Sequence, residues 1–358
     1  FEATVRCCTQ NGVRGGSATV HFPIWHQEIE DIIVLKNNKG TEDNRVRKLD
    51  YSIQISKLFY ERFIANKEIT LFSPHDVPGL YDAFGTPSFN ELYVKYENDS
   101  TIPKTKVKAQ DIILNILKER AETGRIYIMN IDHCNDHSSF KDKVNMSNLC
   151  QEITLPTEPI DHIDDGKGEI ALCILSAINV GKISKIEEME ELCDLVVRGL
   201  EELIDYQEYP VAAAKLSTIS RRSLGVGYIG LAHFLAKNKV KYDSPDAWKL
   251  VHTLTEHFQY YLLRSSNKLA QEKGKCLAFE HTKYSDGILP IDTYKKDVDD
   301  ITPNDLSLDW GSLREDILTH GLRHSTLSAQ MPSESSSVVS NATNGIEPPR
   351  DYLSIKKS

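Results

Sequence analysis

The pattern of apolar and polar residues alternates between helical and extended spacing along the chain. Apolar residues three and four positions apart predict helices over residues 26–37, 46–66 and 106–124, the last of which ends at Gly124. Helices and strands that follow one another in this way predict an α/β fold. Shorter apolar runs predict strands at residues 1–9, 17–24, 68–74, 125–132, 148–156 and 170–181.

The second half of the chain is predicted to be mostly helical. Ser184 and Glu187 have the spacing of a capping box, and apolar residues at helical intervals follow them, including Cys193. Helices are predicted to continue to about residue 272, and another covers residues 310–321. Because Cys193 lies on the apolar side of its helix, we expect it in the core.

Residues 147–152 read Ser-Asn-Leu-Cys-Gln-Glu, an unusual mixture for an apolar neighbourhood. In an extended chain side chains alternate, so Asn148, Cys150 and Glu152 would point the same way. A single cysteine inside a fold is usually an inert apolar residue. An amide and a carboxylate are rarely buried without partners, which indicates a ligand or a reaction here. A cysteine hydrolase would also need a histidine base, for which His133 is a candidate by sequence proximity.

The composition narrows the class of protein. The 358 residues are 40% hydrophobic and 26% charged, as is typical of a soluble globular protein with one large barrel or two domains. The net charge of −10 argues against nucleic acid as the main partner, because nucleic-acid binding needs basic patches. No apolar run is long enough to cross a membrane. A small anion held by backbone N–H groups stays compatible with this charge.

The seven cysteines form no recognisable pairing pattern. Their number is odd and no Cys-x-x-Cys pair occurs, which argues against a disulfide scaffold or a zinc module and favours a reducing cytosol. We therefore predict no metal site in this chain and a cytoplasmic location. Cys173 lies in an apolar run and, from its spacing alone, is expected to be a core residue.

Two polar loops are candidates for ligand contacts. Residues 9–19 contain three glycines and either connect two strands or bring Gln10 and Arg14 to a phosphate or a base. Residues 332–337 read Pro-Ser-Glu-Ser-Ser-Ser, which matches the start of a helix. The free N–H groups and positive dipole end of such a start would also suit an anionic nucleotide.

Several stretches occur in order from one end of the chain to the other: NGVRGG, LFSPHDVPGLYDAF, TGRIYIMNIDHCN, SNLCQEI, GEIALCILSA, GILPIDTYKKD and SNATNGIEPPR. Together they resemble the large catalytic subunit of class I aerobic ribonucleotide reductase, and residues 310–332 match a further signature of that family. The resemblance implies a ten-stranded α/β barrel with a finger loop in its centre, and it assigns residues 147–152 to the tip of that loop.

The resemblance implies that residues 1–358 form a single catalytic barrel domain that is incomplete at both ends. The family's ATP-cone, its first barrel strands and the partner of Cys173 would lie upstream. A tyrosine pair that relays the radical and a C-terminal cysteine pair would lie downstream. Tyr260 and Tyr261 fall in a helical stretch and are interpreted as packing residues.

The resemblance also implies roles for the residues around the finger loop. Cys150 would carry a transient thiyl radical that takes the 3′ hydrogen of the ribose. Glu152 would remove the proton of the 3′-hydroxyl group, and Asn148 would hydrogen-bond the substrate there. Cys173 would be one half of the dithiol that reduces the 2′ position. Gln151 departs from the aliphatic residue that relatives often have, and it is expected to face away from the substrate.

The resemblance also implies roles for the two polar loops at residues 9–19 and 332–337. Gln10 and Arg14 match the loop that carries information from the allosteric effector to the substrate base. The turn that binds the substrate diphosphate is matched by Ser333, Glu334, Ser335 and Ser336.

The implied activity is the reduction of ribonucleoside diphosphates to 2′-deoxyribonucleoside diphosphates for DNA precursor synthesis. A metal-containing small (beta) subunit would supply the radical, and a thioredoxin- or glutaredoxin-type protein would supply electrons. ATP and deoxynucleoside triphosphates would be effectors, and the large subunit would form a homodimer. One alternative is a nucleotide-binding but inactive piece of a split or truncated subunit. A cysteine hydrolase, the other alternative, predicts thiolate alkylation near neutral pH.

Overall fold

The computed structural model describes residues 1–10, 12–301 and 305–351, except for the side chains of Gln10 and Glu42. The chain divides into two compact units. The first contains Phe1–Ser138 and Lys143–Thr154, and the second contains Ser139–Asp142 and the chain from Leu155 onward. That residues 1–358 form a single barrel domain stays a prediction.

The first unit has a three-stranded parallel sheet, ordered β3-β4-β7, and two antiparallel pairs, β1-β2 and β5-β6. Its strands are β1 (Thr9–Gln10), β2 (Arg14–Gly15), β3 (Thr19–Pro23), β4 (Asp50–Ile55), β5 (Glu68–Leu71), β6 (Thr105–Lys108) and β7 (Tyr127–Asn130). Its helices are α1 (Glu2–Cys7), α2 (Ile29–Ile33), α3 (Lys57–Ile64), α4 (Leu80–Ala83), α5 (Phe89–Asn98), α6 (Ala109–Thr123) and α7 (Ile131–His137).

The second unit has one parallel pair of strands and seven helices within the residues that the structure describes. The strands are β8 (Ile174–Asn179) and β9 (Leu224–Ile229). The helices are α8 (Met189–Tyr206), α9 (Ala212–Arg221), α10 (Leu231–Lys237), α11 (Pro245–Lys273), α12 (Pro290–Thr293), α13 (Trp310–His320) and α14 (Glu334–Val339). Short 3₁₀ turns occur at Glu42–Asn44, Pro74–Asp76, Val180–Lys182, Ile186–Glu188, Phe279–His281, Lys283–Asp286 and Lys296–Asp300.

The predicted α/β class is confirmed, and several predicted elements agree with the structure. Helix α6 ends at Gly124, whose φ of 64° is the left-handed conformation that glycine adopts most readily. Cys193 is buried in the core of α8 and α11, as its helical spacing predicts. The described sheets do not close into a barrel, because they contain only two or three strands each.

The helix predicted over residues 46–66 is wrong in its first half. Residues Asp50–Ile55 form β4, the middle strand of the parallel sheet, and only Lys57–Ile64 form a helix. Tyr51, Ser52, Ile53, Gln54 and Ile55 are all buried, because a central parallel strand is covered on both faces. The alternation of Tyr51, Ile53 and Ile55 with polar residues is in fact the spacing of a strand, and the helical pattern begins only after Ser56.

The strand predicted over residues 1–9 is also wrong, because Glu2–Cys7 form the exposed helix α1. Glu2 lies in its first turn and Arg6 in its last, an arrangement that suits the helix dipole. No residue of this helix is fully buried, although Val5 packs against the edge of the core.

Two predictions in the second unit need correction. Glu188, not Glu187, caps the start of α8, since its Oε1 accepts hydrogen bonds from the backbone N–H groups of Ser184 and Lys185, both 3.2 Å long. The all-helical prediction up to about residue 272 misses β9, a strand whose six residues are all buried. None of the described helices has the length and apolar character to span a bilayer.

Candidate active site

The run predicted to be extended at residues 148–156 begins as a tight turn, so that prediction is wrong. An antiparallel bridge joins Ser147 to Thr154. The Asn148 N–H donates to the Ile153 carbonyl at 3.4 Å, and the Ile153 N–H donates to Asn148 Oδ1 at 3.4 Å. We call residues 147–154 the thiol turn, because Cys150 lies at its tip.

Gln151 gives the thiol turn its sharp reversal. Its φ is 65°, in the left-handed region that residues other than glycine seldom adopt. Its N–H donates to the Asn148 carbonyl at 3.3 Å, which closes the turn on itself. Side chains on either side of a left-handed residue no longer alternate, so simple strand geometry does not describe how Cys150 and Glu152 are presented.

Two side-chain hydrogen bonds fix the thiol turn to the parallel sheet of the first unit. Thr19 Oγ1 on β3 donates to the Leu149 carbonyl at 2.7 Å. Gln151 Nε2 donates to Ser52 Oγ on β4 at 2.6 Å. The position of Cys150 is therefore determined by two neighbouring strands as well as by the turn itself.

The Cys150 thiol is half-buried, and its surroundings oppose ionisation. Burial raises its pKa, and the negative charges of Glu152 and Asp50 raise it further, while the Arg14 guanidinium acts in the opposite direction. The net effect is a pKa above the ordinary value, so the sulfur carries its proton at neutral pH. Such a thiol suits hydrogen transfer better than nucleophilic attack, which needs the thiolate.

Glu152 and Tyr127 complete the charged and polar groups around the thiol. Glu152 Oε2 is buried and has no hydrogen-bond partner within the part of the chain that the structure describes. The pKa of Tyr127 on β7 is raised by burial first and then by the charges of Cys150, Asp50 and Glu152. A buried carboxylate oxygen that lacks a donor is suited to receive one from a ligand.

The structure brings the predicted loop residue Arg14 close enough to the thiol turn to lower the pKa of Cys150. Arg14 lies on β2, which pairs with β1 so that Gln10 faces Arg14 in register. The side chain of Gln10 lies outside the described part of the structure. Gly16 is needed after this hairpin, because a Cβ there would lie 2.4 Å from the carbonyl oxygen of Cys8.

Cys173 belongs to the second unit, directly before β8, and is half-buried. Its Sγ lies 2.6 Å from the position that a Cβ at Gly225 would take. Gly225 therefore leaves the space on β9 that the sulfur occupies. Sequence spacing predicted a core residue, and the structure instead leaves the sulfur partly exposed beside a glycine.

The predicted diphosphate turn also lies in the second unit and forms the start of α14. Ser333 is buried at the N-cap, and its carbonyl accepts from the Ser337 N–H at 2.8 Å. The backbone N–H groups of Ser335 and Ser336 precede this first helical bond and lie in the first turn of α14, where N–H groups face the start of the helix. The side chains of Glu334, Ser335 and Ser336 are exposed.

The histidine required by a hydrolase is not among the groups that shift the pKa of Cys150. His133 is exposed on α7, where its ring packs against His137 at 5.5 Å. Tyr260 and Tyr261 are buried in α11, and the Tyr260 ring packs against Trp310 at 5.3 Å, in agreement with a packing role. In the described residues no three His, Cys, Asp or Glu side chains are grouped as metal ligands would be.

Sequence reasoning missed four residues near the thiol turn. Asp50 raises the pKa of the thiol through its charge, Cys150 in turn acts on the pKa of Tyr127, and His21 and Ser52 contact Gln151. All four lie on the sheet strands β3, β4 and β7, far from Cys150 in sequence. Only the pairing of these strands could have identified them, and β4 was predicted as a helix.

Comparison with known proteins decides the family. The family model for the barrel domain of ribonucleotide reductase matches residues 1–358. The chain belongs to the ribonucleotide reductase family. It is 59% identical over 363 residues to the ribonucleoside-diphosphate reductase subunit alpha of Haemophilus influenzae. It is 56% identical to the ribonucleoside-diphosphate reductase 1 subunit alpha of Escherichia coli and 45% identical to the ribonucleoside-diphosphate reductase subunit alpha of Enterobacteria phage T4.

Each of these alignments covers 100% of this chain and 48% of the relative. The chain therefore spans about half the length of the curated relatives that it matches. Its ribonucleotide reductase barrel segment contains the thiol turn, Cys173 and the Ser-rich helix start.

Proposed function

We propose that this chain is the catalytic part of an enzyme that reduces ribonucleoside diphosphates to 2′-deoxyribonucleoside diphosphates for DNA precursor synthesis. The observation that carries the proposal is the protonated thiol of Cys150 at the tip of a fixed turn, beside the unpartnered carboxylate oxygen of Glu152. Membership of the ribonucleotide reductase family supports the same activity.

The residues of the thiol turn have separate tasks in this proposal. Cys150 loses its S–H hydrogen to become a thiyl radical, and that radical removes the 3′ hydrogen of the ribose. Glu152 accepts the proton of the 3′-hydroxyl group, for which its free Oε2 is suited. Because Asn148 Oδ1 already accepts from the Ile153 N–H, the Asn148 amide nitrogen is the group that would contact substrate.

Cys173 supplies one of the two thiols that complete the reduction. The 2′-hydroxyl leaves as water, and the dithiol gives up two electrons and two protons as it becomes a disulfide. The radical site at the 3′ carbon then recovers its hydrogen from the Cys150 thiol, which restores the thiyl radical. Holding the substrate and both sulfurs in one geometry is the main way in which a protein accelerates such a sequence.

The remaining predicted residues bind and regulate. The backbone N–H groups at Glu334, Ser335 and Ser336 would hold the substrate diphosphate, with Ser333 as the N-cap. Arg14 and Gln10 would link an ATP or deoxynucleoside triphosphate effector to the choice of substrate base.

Partner proteins follow from the same proposal. A metal-containing small subunit supplies the radical, and a thioredoxin- or glutaredoxin-type protein restores the dithiol. The large subunit would act as a homodimer in a reducing cytoplasm. Neither nucleic acid nor a membrane is expected as a partner of this chain.

The test replaces Cys150 with serine in the complete subunit, assayed with the small subunit and a dithiol reductant. Cys150→Ser should abolish reduction while circular dichroism and thermal unfolding stay unchanged, because a hydroxyl group holds its hydrogen too strongly for the radical step. Cys7→Ser removes an exposed thiol and should keep activity. Turnover by the Cys150→Ser variant above background would exclude the proposed role.

Iodoacetamide labelling separates this proposal from a cysteine hydrolase. The raised pKa of Cys150 predicts slow alkylation at neutral pH and faster alkylation as the pH rises above about 9. Rapid alkylation of Cys150 at pH 7, measured on its peptide by mass spectrometry, would favour the hydrolase.

A further inference from the structure

Three strands of the first unit place a row of polar residues beneath the thiol turn. In the parallel sheet, His21 on β3 pairs in register with Ser52 on β4, and Ser52 pairs with Tyr127 on β7. Ser52 is fully buried, and His21 is half-buried. Buried polar side chains in the middle of a sheet need partners, and the thiol turn supplies one to Ser52 Oγ and one to His21 Nδ1, whereas His21 Nε2 has none among the described residues.

Gln151 is the partner that joins this row to the turn. Its Nε2 donates to Ser52 Oγ at 2.6 Å and lies 3.5 Å from His21 Nδ1. The residue holds a left-handed φ of 65°, a conformation that residues other than glycine seldom adopt. Strain of this kind persists only where surrounding contacts determine the conformation, and these two contacts do so here.

The His21 ring faces both ends of the turn. Its Nδ1 is directed to the Gln151 amide, and the Ser147 backbone acts on the ring from the first residue of the turn. Burial lowers the His21 pKa to about 4, although the Ser147 backbone opposes this shift. The ring is therefore neutral near pH 7, and one of its nitrogens can accept a hydrogen bond from Gln151.

We propose that His21, Ser52 and Gln151 form a positioning cluster that fixes the thiol turn on the sheet and thereby sets where Cys150 and Glu152 meet the substrate. The inference rests on the proposed function, because it concerns the geometry of that same site. None of the three residues reacts. They act through Cys150, which lies between the Leu149 carbonyl anchored by Thr19 and Gln151 itself.

A polar anchor of this type is directional, whereas an apolar contact is not. An apolar side chain at position 151 would fill similar space and still allow the turn to shift along the sheet. Hydrogen bonds of 2.6 Å and 2.7 Å on either side of Cys150 restrict that shift. Because a displacement of about 1 Å at a reacting group can cost about 100-fold in rate, even a small shift should be measurable.

The test replaces Gln151 with methionine, which keeps the length of the side chain and removes its amide. In the complete subunit assembled with its small subunit, Gln151→Met should lower kcat about 10-fold or more. The dissociation constant of the nucleoside diphosphate and the unfolding temperature should stay the same. Gln271→Met is the matched control, since Gln271 is exposed on α11 and donates only within its own helix.

A second readout does not depend on turnover. Alkylation of the Cys150 peptide by iodoacetamide at pH 9 should be several-fold faster in Gln151→Met, because a turn that is no longer anchored opens more often. In a double-mutant cycle, Ser52→Ala should add little to the effect of Gln151→Met, as expected of residues that act as a unit.

Several outcomes would overturn the inference. Parental kcat and alkylation in Gln151→Met would mean that the cluster does not position the thiol. A fall in unfolding temperature and substrate affinity that matches the fall in kcat would mean a structural role only. If the parent itself fails to reduce nucleotides, the proposed function is wrong, and the alkylation comparison still decides whether the cluster anchors the turn.

Discussion

The Sγ of Cys173 occupies space that only a glycine at position 225 leaves open. A Cβ at Gly225 would lie 2.6 Å from that sulfur, closer than any real contact. It would also lie 2.6 Å from Leu175 Cδ2 and 3.2 Å from the Ala329 Cβ. The sulfur of Cys173 therefore fits beside β9 because Gly225 has no side chain there.

In the proposed function Cys173 is one of the two reducing thiols, so Gly225→Ala, which displaces it, should lower the rate of nucleotide reduction at least about 10-fold. Gly199→Ala is the matched control, since a Cβ at Gly199 in α8 meets nothing within 4 Å. That control should keep activity and stabilise the helix by about 0.5–1 kcal/mol. Steady-state kinetics and urea unfolding of both variants measure the difference, and full activity in Gly225→Ala would contradict this account of the sulfur.

Glu152→Gln should slow reduction by about 100- to 10,000-fold, the usual range for loss of a general base. Substrate affinity should stay within about tenfold, because the amide keeps the size of the carboxylate and can still bond a hydroxyl group. The change also removes a negative charge that raises the pKa of Cys150, so Cys150 should alkylate faster at a given pH. Normal turnover with a large loss of binding would assign Glu152 to substrate binding instead.

The spacing of apolar residues correctly predicted helices that have one apolar face and recognisable capping residues at their ends. Helix α6 with Gly124 and helix α13 are examples, since each has an amphipathic pattern that needs no distant contact to interpret. Strand β9 was not predicted because two of its six residues are glycines, which are less common in strands than in turns. Gly225 and Gly227 are required there because their strand neighbours leave no room for a Cβ.

The candidate site was predictable in residue type but not in geometry. The occurrence of Cys150 and Glu152 together in an apolar neighbourhood predicted a reactive site. In the structure the two residues lie close enough for the Glu152 charge to raise the pKa of the Cys150 thiol. Strand alternation failed at Gln151, whose left-handed backbone no local rule predicts. The anchors at Thr19 and Ser52 lie 130 and 99 residues from their partners in the turn, so only tertiary structure reveals them.

Arg14→Ala should weaken the link between effector and substrate choice more than it lowers basal activity. Coupling free energies between sites are typically about 1–3 kcal/mol, so the shift in preference should fall by about 5- to 150-fold. Reduction of two different diphosphates with and without effector measures this shift, and Arg45→Ala, a half-buried arginine outside the hairpin, is the control. Arg14 also lowers the pKa of Cys150, so its loss should slow alkylation of that thiol. If the substrate preference still responds to the effector as in the parent, Arg14 does not transmit it.

The last prediction concerns an ionic cluster in the second unit, built around a fully buried Glu201 and His324. Glu201 Oε2 lies 3.1 Å from Nε2 of His324, and both side chains are 0% exposed. Arg222 Nε and Arg323 Nε donate to the Glu201 carboxylate at 2.8 Å and 2.7 Å, and Ser266 Oγ lies 2.9 Å from the other ring nitrogen. A charge buried with these partners is stabilising only while the partners remain.

Ionisation in this cluster should make the folded state sensitive to acid. Burial alone would raise the pKa of Glu201, but hydrogen bonds from His324, Arg222 and Arg323 outweigh it and hold the pKa well below its usual range. Burial lowers the pKa of His324 despite the Glu201 contact. The unfolded state therefore binds protons that the folded state does not, first at the histidine below about pH 6.5 and then at the carboxylate below about pH 4.5.

Glu201→Gln should accordingly destabilise the protein by about 3–5 kcal/mol at pH 7, because it removes the buried negative charge that Arg222 and Arg323 share, although Arg222 keeps its ion pair with Asp205. It should also flatten the loss of stability between pH 5 and pH 3, since the titrating carboxylate is gone. Glu202→Gln on the exposed side of the same helix, where the carboxylate pairs with Lys273, should change stability by less than about 1 kcal/mol. Urea unfolding at several pH values measures both variants, and equal stability of the two would show that the buried cluster does not hold α8 to the residues around His324.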